Sequence, residues 1–180
     1  MTDSLLTQLQ QYSPWDATEA AHQIAILHLL QTGPVAFDRQ SDQPGHITGS
    51  AWILAEDTGK VALIYHRRLE RWLQPGGHTE PGEVDGISTA LREVREELDL
   101  VIEPARARLF DLDVHRIPET PTQASHLHFD LRYLCLTQQQ PLVSASDAAQ
   151  ARWFTVAELE AMQLEASMQR MMVKGLDRFL

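Results

Sequence analysis

Three glutamates fall in the short run Arg92-Glu93-Val94-Arg95-Glu96-Glu97. Helix positions three and four apart are neighbours, so Glu93, Glu96 and Glu97 would crowd a patch one turn long. Like charges at that spacing repel. Arg92 reaches Glu96 at i,i+4, but one guanidinium does not neutralise three carboxylates. Two readings follow. A Glu-rich helix face is often just solvated. Alternatively, oxygen donors at this density suit a hard divalent cation, Mg²⁺ or Mn²⁺. The segment in front favours the cation. In Gly76-Gly77-His78-Thr79-Glu80-Pro81-Gly82-Glu83 the glycines allow close approach of backbone to an ion or phosphate, and the Gly77 carbonyl offers a further oxygen.

The whole-chain balance agrees with a site of that kind. The 180 residues carry a formal net charge of −10, which disfavours nucleic acid as a partner. A polyphosphate would be repelled as well, so its site must supply a metal or local Arg and Lys. Hydrophobic residues make up 43%, enough for a folded core. Cys135 is the single cysteine, which rules out an internal disulfide and makes the cytoplasm the expected compartment. The start, MTDSLLTQLQQYSPWD, lacks the basic-then-apolar order of a secretory signal, and no apolar stretch is long enough for a membrane span.

The elements that must hold the patch can be read from periodicity. Residues 17–31 are expected to be helical, with Ala17, Ala20, Ala21, Ile24 and Leu27 on one face, and Gly33-Pro34 stops them. Residues 35–46 look like a loop. HITGSAWILA and VALIYHR read as strands joined across Asp57-Thr58-Gly59. A Gly/Pro-rich loop leads to a helix over residues 86–98, with Asp85 as N-cap. Its apolar face is Ile87, Ala90, Leu91, Val94 and Leu98; Arg92, Glu93, Glu96 and Glu97 take the other side. RLFDLDVHRI and HLHFDLRYLCL alternate as strands. Arg152-Trp153-Phe154 is a last short strand, and residues 156–163 and 166–178 end the chain as helices. This order suggests a mixed sheet covered by helices.

Residues 77–100 resemble the box of the Nudix hydrolases, G-x5-E-x7-R-E-U-x-E-E-x-G-U with U aliphatic. Gly77 opens it, Glu83 is the first glutamate, Arg92 to Glu97 match R-E-U-x-E-E, and Leu100 fills the last aliphatic position. Two departures occur. Eight residues separate Glu83 from Arg92, with the extra one expected in the Val84-Asp85-Gly86 turn, and Asp99 replaces the second glycine at the end of the helix. The likeness extends over roughly residues 37–155, toward a bacterial subgroup.

The resemblance implies an α/β/α sandwich around a mixed sheet. Residues 1–35 would be a helical extension and residues 36–180 the Nudix domain. It also implies Mg²⁺-dependent hydrolysis of a phosphoanhydride in a nucleoside-diphosphate-linked small molecule, with Mn²⁺ as a substitute. Gly77, Glu93, Glu96 and Glu97 would bind the metal. Arg92 would orient the glutamates by pairing with Glu83. Glu97 or Glu93 is a candidate base, and a later loop is another source. A catalytically silent nucleotide-binding module is the rival reading, although no box glutamate is lost.

A second polar cluster lies beyond the box. Asp111, Asp113 and His115 share one strand parity, and His126, His128 and Asp130 share another. A hairpin with Asp113 opposite His128 would join the two polar faces. They would line a substrate pocket, hold an extra metal, or form a plain polar face. His66, Arg67, Arg68 and Arg71 form a basic group that could receive phosphates, with a solvated turn as the alternative. Cys135, Trp52, Trp72, Trp153, Met168, Met171 and Met172 read as packing residues. The N-terminal helices would cover the pocket or form a homodimer interface.

Overall fold

The computed structural model describes residues 2–121, 123–145 and 148–179. Two helices open the chain, α1 (Thr2–Gln11) and α2 (Ala17–Leu30). Asp16 caps α2 by accepting the Glu19 amide at 2.7 Å. A 3-10 turn, Gly33–Phe37, follows where a loop was expected.

The sheet is built from β1 (Gly45–Ala55), β2 (Val61–His66), β3 (Arg71–Leu73), β4 (Gly76–His78), β5 (Ala107–Ile117), β6 (His126–Thr137) and β7 (Ala148–Phe154). Its spatial order is β3-β2-β1-β6-β5, with β4 also on β1 and β7 on β2. β1 and β6 run parallel and the other pairs antiparallel, so the sheet is mixed. The strand β4 lies inside the Gly/Pro-rich loop expected over residues 74–83, and β3 directly precedes that loop. Each has only three residues, too few for alternation to declare itself.

Every residue of the central strand β1 is buried. Alternate side chains feed two cores. Ile47, Ala51 and Ile53 pack with Ala90, Val94 and Leu98 of α3 (Ile87–Leu98), and Leu5, Leu9, Ile26, Leu29 and Leu30 of α1 and α2 join that core. Trp52 and Leu54 pack on the other face with Val61, Leu63 and Phe154. Leu159 of α4 (Val156–Ala161) and Met168 and Met171 of α5 (Ala166–Phe179) cover them. The fold is therefore an α/β/α sandwich. Gly49 lets α3 lie directly on the sheet: a Cβ there would stand 2.4 Å from the Gly86 carbonyl oxygen and 2.9 Å from Thr89 Cβ.

Two expectations need correction. The α2 face read as apolar is not the buried one: Ile24 is 68% exposed, while Glu19 is fully buried beside Ile26 and Leu30. Tyr12 and Lys174 pair with Glu19 and make its burial tolerable. The hairpin register is shifted by two: Asp113 faces Asp130 and His115 faces His128. An even shift keeps the polar faces together. A bulge between Leu109 and Asp111 turns Phe110 into the second core, on the same side as Asp111.

Candidate active site

β4, the turn after it and α3 bring the box together. Glu80 and Glu83 close the turn, since the Glu83 amide donates to the Glu80 carbonyl and the Glu80 amide to Glu83 Oε2, both at 2.9 Å. The Asp85 carboxylate accepts the Ser88 amide at 3.0 Å and so acts as the helix cap, although Gly86 is the residue that precedes the first turn. At the far end Asp99 adopts φ 56° and ψ 30°, the left-handed conformation in which the box usually carries glycine.

Arg92 is the hub. Nε donates to Glu83 Oε1 at 2.9 Å, Nη2 to Glu83 Oε2 at 3.3 Å and to the His78 carbonyl at 2.7 Å. Nη1 donates to Glu93 at 2.9 Å and to Glu96 at 3.0 Å. One fork thus ties the strand, the turn and the helix to each other. Burial pushes the Glu83 carboxyl up, but hydrogen bonds from Arg92, the Glu80 amide and Thr89 outweigh it and leave Glu83 below its ordinary range. Glu93 goes the other way. Its deeper burial raises it, against the pull of Arg92 and with help from the Glu96 and Glu83 charges.

The three glutamates are not equivalent. Glu96 is exposed. Glu93 lies against Gly77, where a Cβ would come within 2.2 Å of Glu93 Oε1. Glu97 is 3% exposed and accepts the Gly76 amide at 3.1 Å. Its expected place on the solvent side of the helix is therefore wrong. Glu97 lies on the side of α3 that meets β4, where it reaches the Gly76 backbone. Gly76, Gly77, Glu93 and Glu97 form one oxygen-rich corner with Arg92 as its present counter-cation.

On the opposite face of the sheet a group of histidines has assembled. The parallel register sets His46 beside His128, and His78 pairs through Thr48 into the same strand set. Ring centroids are 5.0 Å apart for His46–His128 and 4.9 Å for His78–His128, and the two facing Nε2 atoms of His78 and His128 are 3.2 Å apart. His126 stacks on His46 at 5.0 Å, and exposed His115 meets His128 at 5.5 Å. Burial lowers all three inner imidazoles: His46 below its usual range, His78 to about 4 and His128 to about 2, with neighbouring histidines adding to the shift.

Asp130 does not belong to this group. It accepts Thr48 at 3.0 Å, Ser50 at 2.8 Å and Arg132 at 2.8 Å. It is part of a buried ion network in which Arg132 also meets Asp111 and Asp113, Arg170 meets the same two, and Lys174 bridges Asp111 and Glu19. This network fastens α2 and α5 to β5 and β6. The basic group read before the box is likewise tied elsewhere. His66 Nδ1 accepts the Leu69 amide at 3.2 Å, Arg67 donates to the Ala148 carbonyl, Arg71 pairs with Glu165, and Arg68 is exposed in the β2–β3 turn. Cys135 is buried in the first core, and its thiol is pushed up to about 12. A surface depression of about 660 Å³, lined by Asp57, Lys60, Gln140 and Trp153 among others, contains no box residue.

The sequence reading missed His46 and His78. His78 was visible within the box. His46 was not, because its partnership with His128 depends on a parallel pairing between strands 82 residues apart, which no local pattern announces.

A family profile described as NUDIX domain matches residues 44–174, most of the chain. The chain belongs to the Nudix family. It is a Nudix-type hydrolase, and α1 and α2 precede the matched region. A curated relative from Lactococcus lactis subsp. cremoris, named a probable DHNTP pyrophosphohydrolase, is 28% identical over 142 residues, covering 78% of this chain and 82% of the relative. Among solved structures, the NUDIX domain of Shewanella oneidensis NrtR, complexed with ADP ribose, superimposes with a TM-score of 0.59 at 17% identity, covering 84% of this chain and 97% of that one. The dihydroneopterin triphosphate pyrophosphohydrolase of E. coli gives 0.57 at 17% identity, covering 73% and 95%. At these identities the structural neighbours establish the Nudix fold.

Proposed function

We propose that this Nudix hydrolase is a Mg²⁺-dependent pyrophosphohydrolase that cuts a phosphoanhydride in a nucleotide-like small molecule. Mn²⁺ is the expected substitute and the cytoplasm the expected compartment. The observation that carries the reading is the corner where Gly77 admits the Glu93 carboxylate, Glu97 reaches the Gly76 amide, and Arg92 holds Glu83, Glu93 and Glu96. The residues fit the ion: every donor is a hard oxygen, and the cradle exists only because residue 77 has no side chain. Glu93, Glu96, Glu97 and the Gly77 carbonyl would hold it. When bound, Mg²⁺ neutralises charge on phosphate oxygens and lowers the pKa of a coordinated water.

The chain's own groups supply the rest. Arg92 positions the glutamates and in turn is positioned by Glu83 and the His78 carbonyl. Glu93 and Glu97 are the two carboxylates placed to take the proton from an attacking water, and the raised position of Glu93 suits that task. His115, exposed at the rim beside His128, is the member of the second cluster open to a substrate. Residues 1–35 act as an extension fastened to the domain by Glu19 and Lys174.

The substrate class is supported by the relatives named above. Two are named for hydrolysis of dihydroneopterin triphosphate and a third was solved with ADP ribose, and all such molecules contain a phosphoanhydride. The test is a panel of dihydroneopterin triphosphate, nucleoside triphosphates, ADP-ribose, dinucleoside polyphosphates and nucleotide sugars, incubated with and without Mg²⁺. Turnover that requires the ion is expected, with products that locate the broken anhydride. Ligand-induced thermal shifts without turnover in Mg²⁺ or Mn²⁺ would instead make the protein a binding module.

A further inference from the structure

We propose that His46, His78 and His128 form a second metal site, suited to a late first-row divalent ion such as Zn²⁺ and separate from the oxygen donors of the box. One ligand atom from each lies within 4.8 Å of the other two. The 3.2 Å between His78 Nε2 and His128 Nε2 matches the edge of a tetrahedral zinc site, about 3.3 Å for Zn–N bonds of about 2.0–2.1 Å.

The hydrogen bonds set the tautomers. His46 Nδ1 stands 3.0 Å from the Ser41 carbonyl, to which it can only donate, so Nε2 is left as a bare lone pair. That Nε2 is buried and has no partner among the described residues. His126 repeats the arrangement, with Nδ1 on the Ala124 carbonyl at 2.9 Å and a buried, unpartnered Nε2. A pocket rich in lone pairs and poor in donors is costly as it stands. An ion satisfies it. A carbonyl fixing the far nitrogen of the ring is also the usual outer support of a metal-bound histidine. Imidazole nitrogens select Zn²⁺, Co²⁺, Ni²⁺ or Cu²⁺ over Mg²⁺. Three such ligands leave a fourth position for a water.

The site would clip three strands. His46 comes from β1, His78 from β4 and His128 from β6, and His78 directly follows Gly77. An ion there anchors β4 from one face of the sheet while the glutamate corner uses it from the other. The inference does not depend on the identity of the substrate or on catalysis.

The experiment uses the full chain without a histidine tag, stripped by chelator and titrated with Co²⁺, whose visible absorption reports tetrahedral nitrogen ligation. One equivalent with that spectrum, displaced by Zn²⁺, is expected for the native protein. It should persist in Glu96→Gln/Glu97→Gln and be lost in His46→Gln/His128→Gln and in His78→Gln. Native protein that takes up no Co²⁺ or Zn²⁺ overturns the proposal. So does binding lost with the glutamates and kept without the histidines. The native and glutamate-variant titrations decide the matter even if a histidine variant does not fold.

Discussion

Arg92 Nε and Glu83 Oε1 meet at 2.9 Å across the turn that separates β4 from α3. The pair fixes the loop to the helix although the turn between them is one residue longer than the box pattern has it. With both groups half-buried, the contact is a positioning device for Glu93 and Glu96 rather than a surface ion pair.

Arg92→Lys keeps the charge and loses the fork. It should lower kcat/KM by about 10–100-fold, as loss of a group that orients metal ligands does. Glu83→Gln should act in the same direction, and the double variant should fall short of the sum of the two effects in ΔΔG‡. Steady-state kinetics at saturating Mg²⁺ would show this; additive losses would mean that the two residues act independently.

Gly77→Ala places a Cβ 2.2 Å from Glu93 Oε1. The carboxylate, the far end of a flexible side chain, must move, so the substitution should cost less stability than overpacking a rigid core does, about 1–3 kcal/mol. The Mg²⁺ concentration for half-maximal activity should rise. A Mg²⁺ titration of activity beside urea unfolding checks both. An unchanged Mg²⁺ requirement would remove Gly77 from the site.

Much of this corner was legible in the sequence, because the helix period and the glycine-rich turn are local signals. The box, its apolar face at Ala90, Val94 and Leu98, and the left-handed Asp99 could all be placed from spacing. The position of Glu97 could not. Wheel geometry puts it opposite the sheet, yet the Gly76 amide of β4 meets it. Likewise no local pattern marks Glu19 for burial, which depends on Lys174, 155 positions later, folding against it. Contacts of that range leave no periodic trace.

Lys174 is 1% exposed and lies 2.6 Å from Glu19 and 2.9 Å from Asp111. Lys174→Met leaves these carboxylates buried and short of a cation, which should cost about 3–5 kcal/mol. Adding Glu19→Gln should recover part of that loss. Chemical unfolding of the single and double variants checks it, and a double variant no better than the single would show that the pair is not coupled.

Asp113 gives stability a pH dependence. Burial would raise its carboxyl, but the His115 hydrogen bond and the charges of Arg132, His115 and His22 hold it well below the ordinary range. Arg170 faces it as well. A depressed folded pKa means that the unfolded chain takes up the proton first as pH falls. The stabilisation is thus present above about 3.9, the ordinary aspartate value, and fades as pH drops toward the folded one. The difference in Tm between the native protein and Asp113→Asn should narrow as pH falls below about 4. A difference that stays constant to pH 3 would refute this.

The most direct test of the account compares hydrolysis of the best panel substrate by the native protein and by Glu96→Gln/Glu97→Gln across a Mg²⁺ titration. The native protein should be silent after chelation and restored by Mg²⁺. The variant should remain folded and lose at least about 100-fold in rate at every Mg²⁺ concentration, the scale of positioned acid–base groups. Native turnover without a divalent ion, or a variant that matches the native rate, would contradict it.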